Sequence, residues 1–293
     1  VSEPAGLPGL RVRDVLAAAR ERLTGAGIET AAVDARVLLA FALARETAWL
    51  YANPDTGITA GDLDRFLALL ARREQREPVS QIVGRREFWT LSFHVTRDVL
   101  TPRPDSEVLI EAVLQARPDR DVPLRILDLG TGSGCLLLTL LSEYSAASGV
   151  GLDASAAALQ VAARNGQELG LDARVDWMLG DWDTKFDANF DVIVSNPPYI
   201  ETDAIAGLDR DVAGYEPHLA LDGGPDGLEA YRGILSHIAD VLDADGLLVF
   251  EIGQGQADPV TRLAQAVGLR LQAVRRDLSE ITRTLVFETS TKA

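Results

Sequence analysis

The apolar run Phe190-Asp191-Val192-Ile193-Val194-Ser195 ends in Asn196-Pro197-Pro198-Tyr199, which sets an amide, two rigid prolines and an aromatic ring at the C-terminal edge of a predicted strand. Proline fixes its own φ, pushes the preceding residue toward an extended conformation and donates no backbone hydrogen bond. The Asn196 side-chain oxygen and a neighbouring backbone carbonyl can then accept both hydrogens of an amide or exocyclic amine, while Tyr199 covers its flat face. The lone pair of that nitrogen is turned outward. Asn196 and Tyr199 carry the expected catalytic role, and Asn196, Pro197, Pro198 and Tyr199 together form the expected binding site for the target nitrogen. The plainer alternative is a turn after a buried strand.

A second constellation lies upstream. Leu127-Asp128-Leu129-Gly130-Thr131-Gly132-Ser133-Gly134-Cys135 follows a predicted strand and opens a helix through Leu136–Leu141. Glycines there permit a tight turn and close approach of a ligand to the backbone, a pattern shared by dinucleotide and S-adenosylmethionine sites. A dinucleotide fingerprint starting at Gly130 needs glycine at position 135, which is Cys135. The spacing suits a nucleoside without a pyrophosphate. Asp153 closes the next strand and can accept from both hydroxyls of a ribose, although it also stands where a residue can cap the helix that follows. Gly180-Asp181-Trp182 ends the third strand: Asp181 can accept from an adenine amine, and Trp182 can pack beside the base. Either can equally belong to a surface turn. Cys135, at a helix N-terminus, is read as a small packing residue because no histidine lies nearby in sequence to activate it.

Those strand ends need a scaffold that brings them together. From Leu10 to about Arg76 the pattern is helical, with helices expected at Val12–Leu23 and Ala31–Leu43 and a third capped by Thr59, where Leu63, Phe66, Leu67 and Leu70 share one face. Between Gln81 and Val99 the segments Ile82-Val83, Phe88-Trp89, Phe93 and Val95 read as short strands of a hairpin-like linker. From Leu124 onward apolar runs alternate with helical patterns, and seven strands are expected at 125–129, 149–152, 173–178, 190–195, 247–252, 270–274 and 284–288. In a doubly wound sheet ligands bind outside the carboxyl ends of the strands where the winding reverses, so the residues after strands one to four converge. The expected division is a helical domain over 1–80, a β linker over 81–120 and an α/β domain over 121–293.

At 293 residues the chain exceeds the usual size of one core. Residues 1–100 hold 13 Arg and 13 Asp+Glu, so the whole net charge of −16 falls on the remainder. A strongly acidic catalytic half repels a phosphate backbone, which favours a protein or small-molecule substrate over nucleic acid. The one basic cluster, Arg72, Arg73, Arg76, Arg85 and Arg86, reads as a solvated or protein-docking face. One cysteine and three scattered histidines, His94, His218 and His237, leave no metal-ligand spacing, so no metal is expected. No run is apolar enough to span a membrane, and Val1-Ser2-Glu3-Pro4 lacks the character of a signal peptide, so a cytoplasmic location is expected.

Taken together these residues resemble the S-adenosylmethionine-dependent methyltransferases that modify the glutamine of peptide chain release factors. Asn-Pro-Pro-Tyr alone also resembles adenine N6 and some RNA guanine methyltransferases. The narrowing segments are Thr101-Pro102-Arg103-Pro104-Asp105-Ser106-Glu107, similar to the family's Pro-Arg-Pro-Asp-Thr-Glu with Ser106 for threonine, together with Arg86-Glu87-Phe88-Trp89, Glu216-Pro217, Ala220-Leu221, Gly223-Gly224 and Asp226-Gly227-Leu228. The resemblance covers about residues 10 to 290. It departs at Asp277-Leu278-Ser279-Glu280-Ile281-Thr282-Arg283, where Glu280 stands in place of a frequent glycine.

The resemblance implies a small all-α N-terminal domain that docks the protein substrate, a short β-hairpin linker and a Rossmann-like, seven-stranded methyltransferase domain ending in an antiparallel strand. It implies S-adenosyl-L-methionine as cofactor, S-adenosyl-L-homocysteine as product, and transfer of a methyl group to the N5 amide nitrogen of the Gly-Gly-Gln glutamine in class 1 release factors. Gly130, Thr131, Gly132, Ser133, Gly134, Asp153, Trp182 and Asn196 would hold the cofactor, with Asp181 added from its strand end. For Arg103 and Glu107 an ion pair bracing the linker and a cofactor contact are both open. Rival classes are a nucleic-acid amine methyltransferase using the same pocket for a flipped base, a non-catalytic binding protein and a nicotinamide-dependent oxidoreductase.

Overall fold

The computed structural model describes residues 10–289, so Val1-Ser2-Glu3-Pro4 lies outside the described residues. In chain order the elements are α1 (Val12–Gly25), α2 (Ala31–Ala42), α3 (Thr47–Ala52), α4 (Ala60–Glu74), α5 (Val79–Val83), β1 (Arg85–Phe88), β2 (Leu91–His94), α6 (Glu107–Ala116), β3 (Arg125–Leu129), α7 (Cys135–Glu143), β4 (Ser148–Asp153), α8 (Ala156–Glu168), β5 (Val175–Leu179), β6 (Phe190–Ser195), α9 (Arg210–Ala213), α10 (Glu229–Val241), β7 (Leu242–Glu251), α11 (Ala257–Ala266), β8 (Leu269–Arg276) and β9 (Thr282–Thr289). The chain divides into two compact units. One runs up to Gly84 and includes Asp209–Tyr215; the other holds Arg85–Leu208 and Glu216 onward.

The first unit is helical. Thr59 caps α4, its hydroxyl oxygen accepting from the Asp62 amide, and Leu23, Leu38, Leu39, Phe66 and Leu70 fill the core. Ile82-Val83 belongs to helix α5, not to a strand: Pro78 starts the turn, and Gly84, at φ +74°, ends it. Ile82 is buried in the helical core. That core overrides the strand preference of a β-branched pair.

The basic cluster is only in part a solvated face: Arg72 and Arg85 are exposed, while Arg73 is buried. Buried Arg73 pairs with Asp34 at 2.7 Å and with Asp211 at 2.7 Å. Arg72 is held by Glu77, and Arg76 donates to the Gly27 carbonyl at 2.8 Å. In the second unit Arg85 pairs with Glu168 at 2.7 Å. Glu77 is a near neighbour of Arg72, but Asp34, Asp211 and Glu168 lie far along the chain from the arginines they pair with, beyond the reach of a local charge count.

The second unit is a seven-stranded sheet in the order β5-β4-β3-β6-β7-β9-β8, preceded by the antiparallel β1-β2 hairpin. β5, β4, β3, β6 and β7 run parallel, and β9 pairs antiparallel with both β7 and β8. Alternation in β6 sends Val192 and Val194 to a core with α6 and α7 residues such as Ile110 and Leu137, and Ile193 to a core with Tyr231, Ile234 and Ile238 of α10. Period-2 alternation between two apolar faces is what a strand buried on both sides requires. The order places the reversal of winding between β3 and β6, so the glycine turn after β3 and the Asn-Pro-Pro turn after β6 leave the sheet side by side. β7 starts at Leu242, earlier than its apolar run, because the chain extends through the polar Asp243-Ala244-Asp245-Gly246.

Candidate active site

Gly130, Gly132 and Gly134 have φ of +73°, +55° and +79°. At Gly134 packing reinforces the dihedral demand, since a Cβ would lie 3.0 Å from Trp177 and 3.1 Å from Leu138. The Gly130 and Thr131 amides each donate to the Leu152 carbonyl at 2.9 Å, tying the turn to β4. The Thr131 hydroxyl donates to Asp128 at 2.6 Å. Burial pushes that fully enclosed carboxyl up to about 7, against the pull of Thr131.

The two oxygens of Asp153 accept from the Gly132 amide at 2.8 Å and the Ser155 amide at 2.9 Å. Burial raises this carboxyl above its ordinary value, while the same two amides hold it down. Ser155 caps α8, its hydroxyl oxygen accepting from Ala158, so Asp153 is not needed as the cap. Each carboxylate oxygen keeps a lone pair for a further donor.

A cavity of about 460 Å³ opens at these strand ends, within the range of small-molecule sites. Its walls include Gly130, Thr131, Gly132, Ser133, Asp153, Asp181, Trp182, Asn196 and Pro198. Trp182 stands over the turn: a Cβ on Gly130 would lie 3.2 Å from its ring. Gly134 is absent from the walls and acts behind the turn, against Trp177 and Leu138. Exposed Asp181 bonds back to the Trp182 amide at 2.7 Å.

The chemistry of the walls fits a nucleoside joined to an amino acid. A bare glycine backbone admits close approach, a strand-end carboxylate can take a diol, and an indole supplies a flat face. Cys135 also borders the cavity, and burial pushes its thiol up to about 12. It is a packed thiol with no nucleophilic character at neutral pH.

The Asn-Pro-Pro-Tyr turn is anchored from both flanks. Ser195 donates through Oγ to the Leu129 carbonyl at 2.6 Å, coupling the ends of β6 and β3. Asn196 Nδ2 donates to Ser106 Oγ at 3.2 Å. Asn196 and Pro198 border the main cavity, Pro197 is buried, and Tyr199 borders an adjacent cavity of about 400 Å³ with Gly253, Gln254 and Gln256. The motif is thus a wall common to both cavities.

The Tyr199 hydroxyl lies 3.5 Å from Glu251 Oε1 at the end of β7, and burial pushes it up to about 12. Arg103 reaches the main cavity and pairs with buried Glu216 at 2.6 Å. Glu107 braces the hairpin by accepting from the Trp89 amide at 2.8 Å. Sequence reasoning missed Glu251; its signal was a lone carboxylate inside the apolar run Leu247-Leu248-Val249-Phe250-Glu251-Ile252.

A parallel sheet with an antiparallel terminal strand, a glycine turn after its first strand and an Asn-Pro-Pro-Tyr turn beside it define the class of Rossmann-like methyltransferases. Solved structures share this fold. The catalytic domain of hMettl16 in complex with MAT2A 3′UTR hairpin 6 aligns with a TM-score of 0.57 at 13% identity, over 77% of this chain and 83% of that one. The ribosomal protein L11 methylase of Lactobacillus delbrueckii subsp. bulgaricus aligns at 0.50 and 16%, over 66% and 81%.

Residues 14–84 match the PrmC N-terminal domain, and residues 104–210 match the methyltransferase small domain. Release factor glutamine methyltransferases of Cereibacter sphaeroides and Caulobacter vibrioides are 47% and 43% identical to the chain, each over 92% of its length and over 95% and 93% of theirs. The chain belongs to the release factor glutamine methyltransferase family.

Proposed function

We propose that this chain transfers a methyl group from S-adenosyl-L-methionine to the side-chain amide nitrogen of the glutamine in the Gly-Gly-Gln motif of class 1 peptide chain release factors. The observation that carries the reading is that Asn196 and the Gly130–Gly132 turn border one cavity, while Tyr199 of the same motif borders the next. The cofactor, held by Gly130–Gly134, Asp153, Asp181, Trp182 and Asn196, supplies an electrophilic methyl group on a sulfonium.

The residues deal with a poor nucleophile, because the lone pair of an amide nitrogen is delocalised into its carbonyl. Asn196 Oδ1 and the Pro197 carbonyl accept the two N–H groups and turn the lone pair toward the methyl-bearing cavity. As positive charge develops on nitrogen, both acceptors strengthen, each worth about 3 kcal/mol by comparison with oxyanion-hole deletions. Tyr199 covers the amide from the adjacent cavity. No strong base is required, since the methylated nitrogen is acidic and can release its proton to water. The helical unit that matches the PrmC N-terminal domain serves to dock the release factor, and a substrate from the translation machinery supports a cytoplasmic location. Among the described residues no helix is long and apolar enough to cross a membrane.

Incubation with labelled S-adenosyl-L-methionine and a release factor, followed by mass spectrometry of the digested factor, tests this. A gain of one methyl group on the Gly-Gly-Gln glutamine is expected. Label in DNA or RNA with none in protein would overturn it.

A further inference from the structure

Beside Asn196 lie two buried polar residues that the mechanism above does not use, Ser106, which also borders the main cavity, and Glu251, which does not. Ser106 is 3% exposed and Glu251 is 2% exposed. The sheet explains their meeting with Asn196. β6 and β7 are parallel with Ser195 opposite Phe250, so one further step on each strand sets Asn196 beside Glu251. Ser106 enters from the turn before α6. Asn196 Nδ2 donates to Ser106 Oγ at 3.2 Å, and the Ser106 and Asn196 side chains both stand close enough to the Glu251 carboxyl to pull it down. Glu251 Oε2 has no partner among the described residues, which leaves the carboxylate short of donors.

We infer that Glu251, acting through Ser106, is the positioning residue that fixes which end of the Asn196 amide faces the substrate. The inference rests on the reading of Asn196 given above. Its logic is the donor inventory. An ionised carboxylate only accepts, and a serine hydroxyl has one proton. With Glu251 ionised, the Ser106 proton points to Glu251, Ser106 Oγ must accept, and Nδ2 is the only end of the Asn196 amide that can supply it. Oδ1 is then the end presented to the glutamine N–H groups. A protonated Glu251 can instead donate to Ser106, whose proton is free to turn toward Asn196 and favour the flipped amide. That amide shows the substrate a donor where an acceptor is needed. A threonine at 106 keeps the hydroxyl and preserves the chain of bonds.

The surroundings place the switch near neutrality. Burial pushes the Glu251 carboxyl up to about 7, with Asp105 raising it further and Ser106, Arg283 and Asn196 pulling it back. Tyr199 of the Asn-Pro-Pro-Tyr turn, Tyr231 of α10 and Cys135 of α7 also interact electrostatically with Glu251; all three are held neutral by burial. Because the folded value is raised, Glu251 is protonated below about pH 7 and ionised above it. Methyl transfer should therefore fall on the acid side and level off on the alkaline side.

The test uses the full chain, S-adenosyl-L-methionine and an intact release factor. Ser106→Ala should lower kcat about tenfold with cofactor affinity unchanged, and Ser106→Thr should restore it to within about twofold. Glu251→Gln should abolish the acid limb that wild type shows below about pH 7, leaving a lower, flat profile. In cofactor-free protein carrying ¹³C-labelled glutamate, one carboxyl should titrate far above the ordinary range and vanish in Glu251→Gln. Wild-type turnover in Ser106→Ala, failure of threonine to rescue, or an acid limb that survives Glu251→Gln would overturn the inference. If Asn196→Ala also keeps full turnover, the site reading itself falls; if only Asn196→Ala is impaired, the relay alone falls.

Discussion

The two turns at the centre of the site are built in opposite ways. The Gly130–Gly134 turn is set by its own backbone: three glycines at positive φ and amides bonded to the neighbouring strand at Leu152 and Asp153. The Asn196–Tyr199 turn is set by side chains from elsewhere, with Ser106 and Glu251 beside Asn196 and Gln256 donating to the Tyr199 carbonyl at 3.0 Å. A backbone-built turn gives shape and tolerates a range of ligands. A turn oriented by side chains assigns donor and acceptor ends, which transfer to one nitrogen demands.

That contrast can be broken by substitution. Asn196→Ala should reduce methyl transfer to release factor by at least ~100-fold at saturating cofactor, because an acceptor used chiefly in the transition state is lost. Cofactor binding, read by calorimetry, should weaken but stay measurable. Gly132→Ala should do the reverse. With φ at +55° and open space around a Cβ, the cost is backbone strain and obstruction of the cavity, so cofactor affinity should fall about tenfold with kcat at saturation nearly kept. Equal effects of both changes on affinity would erase the distinction between the turns.

Tyr199 sharpens the comparison at smaller scale. Tyr199→Ala should cost up to about tenfold in kcat/KM and Tyr199→Phe less than about threefold, since ring coverage matters and the 3.5 Å approach to Glu251 is long for a hydrogen bond. Equal losses would assign the role to the hydroxyl. The smallest effect is expected far from the chemistry. Glu280 has φ +62° in the turn between β8 and β9, where Asp277 binds the Ser279 and Ile281 amides and Arg283. Glu280→Gly should relieve roughly 1 kcal/mol of strain and raise the melting temperature by about 2–4 °C without changing turnover.

Much of the sheet was legible because its strands are buried on both sides and so read as apolar runs: Arg125–Leu129 and Phe190–Ser195 fall where those runs end. Thr59 was legible as a cap because capping is local. Ile82-Val83 misled because β-branched residues were recruited into a helical core. Within the basic cluster Arg73 misled, because Asp34 and Asp211, which neutralise it, are distant in sequence. Within the site, glycine spacing and Asn-Pro-Pro-Tyr carry their geometry locally and could be read. The contributions of Ser106 and Glu251 depend on strand order and register, and strand pairing is not written in a local pattern. Position 280 was visible as a departure, and its meaning came only with its backbone angle.

The central claim is that Asn196 presents an acceptor to the glutamine amide beside the methyl donor. A crystal structure with S-adenosyl-L-homocysteine and a glutamine peptide bearing the Gly-Gly-Gln sequence tests it most directly. The glutamine nitrogen should lie about 3 Å from both Asn196 Oδ1 and the Pro197 carbonyl, with the cofactor product seated against Gly130–Gly134. A glutamine bound away from Asn196, or an Asn196 amide turned with Nδ2 toward the substrate, would contradict it.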